Sequence, residues 1–146
     1  MAALRRRVEA SGHLHPVRVY YEDTDCSGVV YHASYLRFAE RARTEMLRAL
    51  GVAHSEMIER TGLAFAVRRL EVDYLAPARL DDTLEVLTRI EEVGGASLAA
   101  VQVVRGAGAG PEKVRITLRL ACINQNGRPA RLPSAVRRVL EPLVTN

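Results

Sequence analysis

Tryptophan is absent from this chain, and phenylalanine and cysteine occur only 2 times each. With so few large aromatics, leucine, valine, isoleucine and alanine must fill the core. Cys26 and Cys122 lie outside any Cys-x-x-Cys or other metal-ligand spacing, so a reduced cytoplasm is the default expectation for location. His13, His15 and His54 are isolated in sequence, so neither a metal site nor a cofactor is expected. The stretch Met1–His15 carries positive charge but no apolar segment behind it, as an export signal would need. No run of about 18 apolar residues occurs either, which argues against membrane insertion.

Charge is present but unfocused. Lys and Arg number 21 against 17 Asp and Glu, a net +4 that suits a polyanionic partner. Small clusters occur at Arg5-Arg6-Arg7, Arg68-Arg69 and Arg137-Arg138, and none forms a continuous basic block interleaved with aromatics. Nucleic acid is therefore not the expected partner, whereas the phosphates of coenzyme A remain a candidate. At 146 residues the chain suits one domain, and a chain of that size hides roughly 68–70% of its unfolded surface on folding. Residues 1–15 are expected to form a polar arm and 16–143 a single domain.

Val17, Val19 and Tyr21 alternate with Arg18 and Tyr20, the period of a short strand. From about His32 to Leu50 the apolar positions Tyr35, Phe38, Ala39, Ala42, Met46, Ala49 and Leu50 recur every three or four residues, which predicts an amphipathic helix. Arg41 and Glu45 are spaced to pair along it, and Gly51 stands where a left-handed cap ends it. A shorter helical turn is expected around Ser55–Thr61. Beyond it the period becomes two, around Leu70–Tyr74, Leu84–Ile90, Leu98–Val104 and Val114–Leu120, with turn signals at Asp81-Asp82, Gly94-Gly95, Gly106–Gly110 and Asn126-Gly127. Ser134–Leu143 is expected to close the chain as a short helix capped by Ser134. Strand, long helix and then four strands imply an α+β fold, an antiparallel sheet covered by one dominant helix.

The segment Tyr20–Tyr35 crowds Asp23, Asp25, Cys26, Gly28 and His32 between a strand and a helix. A strand end holds a carboxylate, glycine lets backbone approach a ligand, and the first helical turn offers unpaired N–H groups to a developing oxyanion. Asp23 and Asp25 read equally as turn formers, and His32 as an ordinary helix-start histidine. A thiol nucleophile at Cys26 lacks an assured base. The glycines of 106–110 precede a strand and not a helix, which removes the phosphate-cradling reading.

Val17-Arg18-Val19-Tyr20-Tyr21-Glu22-Asp23-Thr24-Asp25, Gly28-Val29-Val30-Tyr31-His32, Tyr35-Leu36-Arg37-Phe38 and Glu40-Arg41-Ala42-Arg43-Thr44-Glu45 together resemble the signature of the YbgC-type acyl-CoA thioesterases, in the 4-hydroxybenzoyl-CoA thioesterase branch of the hotdog-fold superfamily. The chain departs from it with Ser34, where Asn is common, and Cys26, where small or cyclic residues are usual. The resemblance implies a hotdog fold, a curved antiparallel sheet around one long helix, assembled as a homodimer or homotetramer. It makes Asp25 the catalytic carboxylate, as nucleophile or as base on water, with His32 in support. Gly28, Val29, Val30 and Tyr31 would bind substrate, and backbone N–H groups at the helix start would receive the thioester oxygen. It further implies hydrolysis of acyl-CoA, a Tol–Pal gene context and contact with acyl carrier protein. Arg115 and Arg119 are candidates for the coenzyme phosphates. A non-catalytic adaptor that binds acyl chains or carrier protein, and a hydratase or dehydratase on the same fold, are the alternatives.

Overall fold

The structure is a computed structural model describing residues 8–9 and 12–144. Its strands are β1 (Val8–Glu9), β2 (Gly12–Arg18), β3 (Ala64–Tyr74), β4 (Thr83–Val93), β5 (Ser97–Gly106) and β6 (Glu112–Ile123). Its α-helices are α1 (Ser34–Ala49), α2 (His54–Thr61) and α3 (Ser134–Leu140), with 3-10 turns at Tyr21–Asp23 and Glu141–Leu143. The sheet is antiparallel throughout, in the order β1-β2-β4-β5-β6-β3.

Period two is clearest on β6, where Val114, Ile116, Leu118, Leu120 and Cys122 are buried and the residues between them are not. Their apolar face meets the stripe of α1, from which Tyr35, Phe38, Ala39, Ala42, Met46 and Leu47 join the same core cluster. This is the hotdog arrangement of the α+β class. Register shifts between Val67 and Arg69, Ile90 and Glu92, and Val104 and Arg105 mark bulges, which bend strands and increase their twist. Leu50 takes the helix C-cap, and Gly51 follows at φ +86°, the left-handed region that favours glycine.

Three local expectations change. β2 starts at Gly12, so His13–His15 belong to the sheet and not to an arm over 1–15; residues 1–7, 10 and 11 of that arm lie outside the described residues. Pairing of His13 with Thr88 and His15 with Val86 supplies the register that their polar side chains hid. Ser134 is the first residue of α3 and not its cap, a place taken by Pro133 with no side-chain hydrogen bond. Glu45 pairs with Arg48 at 2.8 Å and not with Arg41. Consecutive β3 and β4 do not pair: β3 crosses to the far edge beside β6, and β4 sits between β2 and β5.

One polar cluster pins α1 to the sheet. Gln102 of β5, with no exposure, donates from Nε2 to the Ala39 carbonyl (2.9 Å) and to Thr88 Oγ1 (3.0 Å). Its Oε1 accepts from Arg43 Nη1 at 2.9 Å. Burial without partners would be costly, and here each polar end of the amide is satisfied.

Candidate active site

The loop ahead of α1 is closed on itself as a narrow antiparallel turn. Tyr31 N–H donates to the Asp23 carbonyl (2.9 Å), Thr24 bridges Val30, and Asp25 N–H donates to the Val29 carbonyl (2.9 Å). Gly28, at φ +84°, makes the reversal and donates to the Asp25 carbonyl at 3.2 Å. The loop is tied to the 78–80 segment by Val30 N–H to the Ala78 carbonyl (2.8 Å) and Leu80 N–H to the Gly28 carbonyl (3.2 Å). Gly28, Val29 and Val30 are thus the hinge and anchor of the loop, with Val30 in the core and Tyr31 exposed.

The two aspartates separate cleanly. Asp23 is buried: its Oδ2 accepts the Tyr20 N–H at 2.9 Å, Oδ1 lies 3.7 Å from Arg37 Nη2, and its carbonyl accepts from Ser34 Oγ at 3.1 Å. It holds the loop. Asp25 is exposed at the loop tip, where Oδ1 accepts both the Ser27 hydroxyl (2.5 Å) and the Ser27 N–H (2.8 Å). Those two bonds, the hydroxyl first, hold its carboxyl below the ordinary carboxylate range. Ser27 was not singled out from the sequence, although Asp-x-Ser at a turn is the pattern of an Asx turn.

His32 lies two residues before α1 and is exposed. Its carbonyl accepts from the Tyr74 hydroxyl at 2.8 Å, and its ring sits 4.3 Å from that of Tyr31. Among the described residues no acceptor takes the His32 N–H, and no hydrogen bond joins His32 to Asp25. The following N–H groups are already engaged: Ser34 donates to the Tyr31 carbonyl (2.8 Å) and Leu36 to that of Ala33 (3.1 Å). Ala33 and not Ser34 is the N-cap; Ser34 is buried and its hydroxyl is spent on Asp23. Tyr35 completes the frame, its hydroxyl oxygen accepting the Ala78 N–H at 3.1 Å.

Arg115 and Arg119 project from β6 between its core residues and are paired, with Glu112 at 2.9 Å and Glu92 at 3.4 Å. A phosphate meeting them would compete with those carboxylates. Cys26 is exposed and Cys122 buried, and burial pushes the Cys122 thiol up. Among the described residues no three His, Cys, Asp or Glu side chains converge as a metal site, and no helix is long and apolar enough to cross a membrane.

The chain is similar to known proteins over most of its length. The family described as the thioesterase superfamily matches residues 27–109. The acyl-CoA thioesterase YbgC of Haemophilus influenzae is 42% identical over 134 residues, 91% of this chain and 97% of that protein. The acyl-CoA thioester hydrolase YbgC of Escherichia coli O6:H1 is 56% identical over 87 residues, 60% of this chain and 64% of that protein. Among solved structures, a probable thioesterase from Bartonella henselae superposes with a TM-score of 0.77 at 40% identity, covering 83% of this chain and 98% of that one.

Proposed function

The chain belongs to the thioesterase superfamily, and from that premise we propose that it hydrolyses an acyl-CoA thioester to the free acid and coenzyme A with Asp25 as its catalytic carboxylate. The observation that carries the reading is the loop tip: an exposed carboxylate, held ionised by Ser27, a few residues ahead of a helix start whose His32 N–H is unused among the described residues. That N–H receives the thioester oxygen as it gains charge. Donors of this kind are worth about 2.7–4 kcal/mol each in hydrolases. Gly28 to Tyr31 form the wall on which the thioester rests.

Asp25 either takes a proton from water, whose oxygen then adds to the carbonyl carbon, or adds itself to give an acyl-aspartyl anhydride that water opens. In both routes the tetrahedral oxyanion collapses with loss of the coenzyme thiolate, which then takes up a proton. Both begin from ionised Asp25. Replacing Ser27 with alanine removes the largest of the hydrogen-bond contributions that lower its pKa, so the carboxyl moves back up toward the ordinary range. The acidic limb of the kcat/KM profile is expected to shift to higher pH, and an unmoved limb in Ser27→Ala would detach that limb from Asp25.

Incubating the protein with acyl-CoAs of graded length and following thiol release tests the activity itself. Binding without turnover at every length would favour the adaptor reading. Cys26→Ser is expected to retain hydrolysis, because no base among the described residues hydrogen-bonds Cys26; loss of thiol release in that variant would restore the thiol as nucleophile. Assembly into dimers or tetramers belongs to the same proposal and is supported by the exposed Tyr20, Tyr21, Tyr31 and Tyr74 around the site, aromatic surface of the kind that interfaces cover. Contact with acyl carrier protein, a cytoplasmic location and a Tol–Pal context are carried by the likeness to the YbgC proteins.

A further inference from the structure

Resting on the hydrolase reading, we propose that a cavity lined by Arg43 and His54 receives the far end of the acyl group and selects acyl chains that end in a carboxylate. The cavity has a volume of about 250 Å³ and lies between the C-terminal half of α1, α2, β3 and the sheet. Its walls are mostly apolar, with Leu47, Phe65, Ile90 and Leu98 among them.

Two basic side chains line it with no carboxylate in ion-pair distance among the described residues. Arg43 is half-buried, and among the described residues its guanidinium makes one hydrogen bond, to the neutral Gln102 amide, and has no carboxylate within ion-pair distance. Glu40, exposed and also lining the cavity, attracts it without forming an ion pair. His54 Nε2 is buried with no hydrogen-bond partner among the described residues. Burial first, then the Arg43 charge, pushes the His54 pKa down, with Glu40 opposing. The His54 Nε2 has no partner among the described residues, and the guanidinium, which donates from Nη1 to Gln102, has no carboxylate to meet its remaining donors. A planar carboxylate matches the free guanidinium donors, and with the imidazole proton on Nε2 it accepts a further hydrogen bond from His54.

Both α1, which starts at the loop, and β3 contribute residues to the cavity wall. At one end the Tyr35 and Tyr74 rings stand 5.9 Å apart and Tyr74 holds the His32 carbonyl; at the other, His54 and Phe65 stand 5.8 Å apart. From Ser34 to Arg43 the helix rises about 14 Å, so the acyl group must be a chain of medium length and not a short one.

The decisive measurement is kcat/KM for octanoyl-, decanoyl- and dodecanoyl-CoA against the matching monothioesters of the dicarboxylic acids. The unmodified protein is expected to favour the carboxylate-ended member by at least about tenfold at one length, and Arg43→Met to abolish that ratio. A purely structural Arg43, bracing Gln102, would lower the melting temperature and leave the ratio untouched, which overturns the proposal, as does equal use of both series. Independently of turnover, octanoate is expected to shift the His54 ring resonances of the unmodified protein and octan-1-ol is not. If octanoate binds there and no thioester is cleaved, the hydrolase reading falls and the site stands; if thioesters are cleaved without preference and octanoate leaves His54 unmoved, the site falls alone.

Discussion

Asp25→Asn is expected to lower kcat/KM for acyl-CoA hydrolysis by about 10²–10⁴-fold, the range supplied by a positioned acid or base, with no loss of fold. The asparagine oxygen still accepts from Ser27, so the loop tip keeps its shape, but an amide is neither a base at neutral pH nor a nucleophile toward a thioester. Asp25 is exposed and makes no contact with the core, and surface replacements of that kind usually stay within about 0.5 kcal/mol in stability. Asp23 is the informative contrast. It is buried and braces the Tyr20 N–H, near Arg37, so Asp23→Ala should unfold the loop and lose stability and activity together. Parallel thiol-release assays and melting curves separate the two. An Asp25→Asn protein that hydrolyses at the parental rate would remove Asp25 from the mechanism.

Phe38→Ala is expected to cost about 3–5 kcal/mol of folding stability, a large share of the roughly 5–15 kcal/mol that holds a domain together. Phe38 has no exposure, and it is one of only 2 phenylalanines in the chain. It stands on the inner face of α1, edge-on to Tyr35 with ring centroids 6.0 Å apart, inside the cluster that joins the helix to the sheet. The small residues around it, Ala39 and Ala42, let the helix approach closely and cannot refill the space of a deleted ring. Urea titration should show a lower midpoint with an unchanged slope. Because Tyr35 also holds the 78–80 segment through Ala78, a helix loosened at Phe38 should displace the helix start and reduce turnover. A midpoint close to the parent's would mean that the helix and sheet are held elsewhere, with Gln102 the first place to look.

Elements with strong periodicity were legible from residue order. The stripe Tyr35–Leu50 and the alternation Val114–Leu120 announce their own burial, because period 3.6 and period 2 place apolar groups on one face whatever the neighbours are. His13 and His15 broke that rule. Their strand is set by pairing with β4, a partner some seventy residues away, and no local propensity expresses it. Gln102 shows the same limit in the core. In sequence it is a polar interruption of a strand, and only the approach of Ala39, Arg43 and Thr88 turns it into a satisfied joint.

The site divides along the same line. The order of residues from Tyr20 to Tyr35 by itself determined that a carboxylate, a glycine reversal and a helix start lie close together, since all three are local features separated by few bonds. Tertiary structure alone decided which aspartate is free, because that depends on whether Arg37 and Ser34 of the helix fold back onto the loop; they reach Asp23 and leave Asp25 to Ser27. It also decided that Arg43 and His54, ordinary in sequence, face one cavity. Burial and charge pairing are properties of distances through space, and chain order constrains those only over a turn or two of backbone.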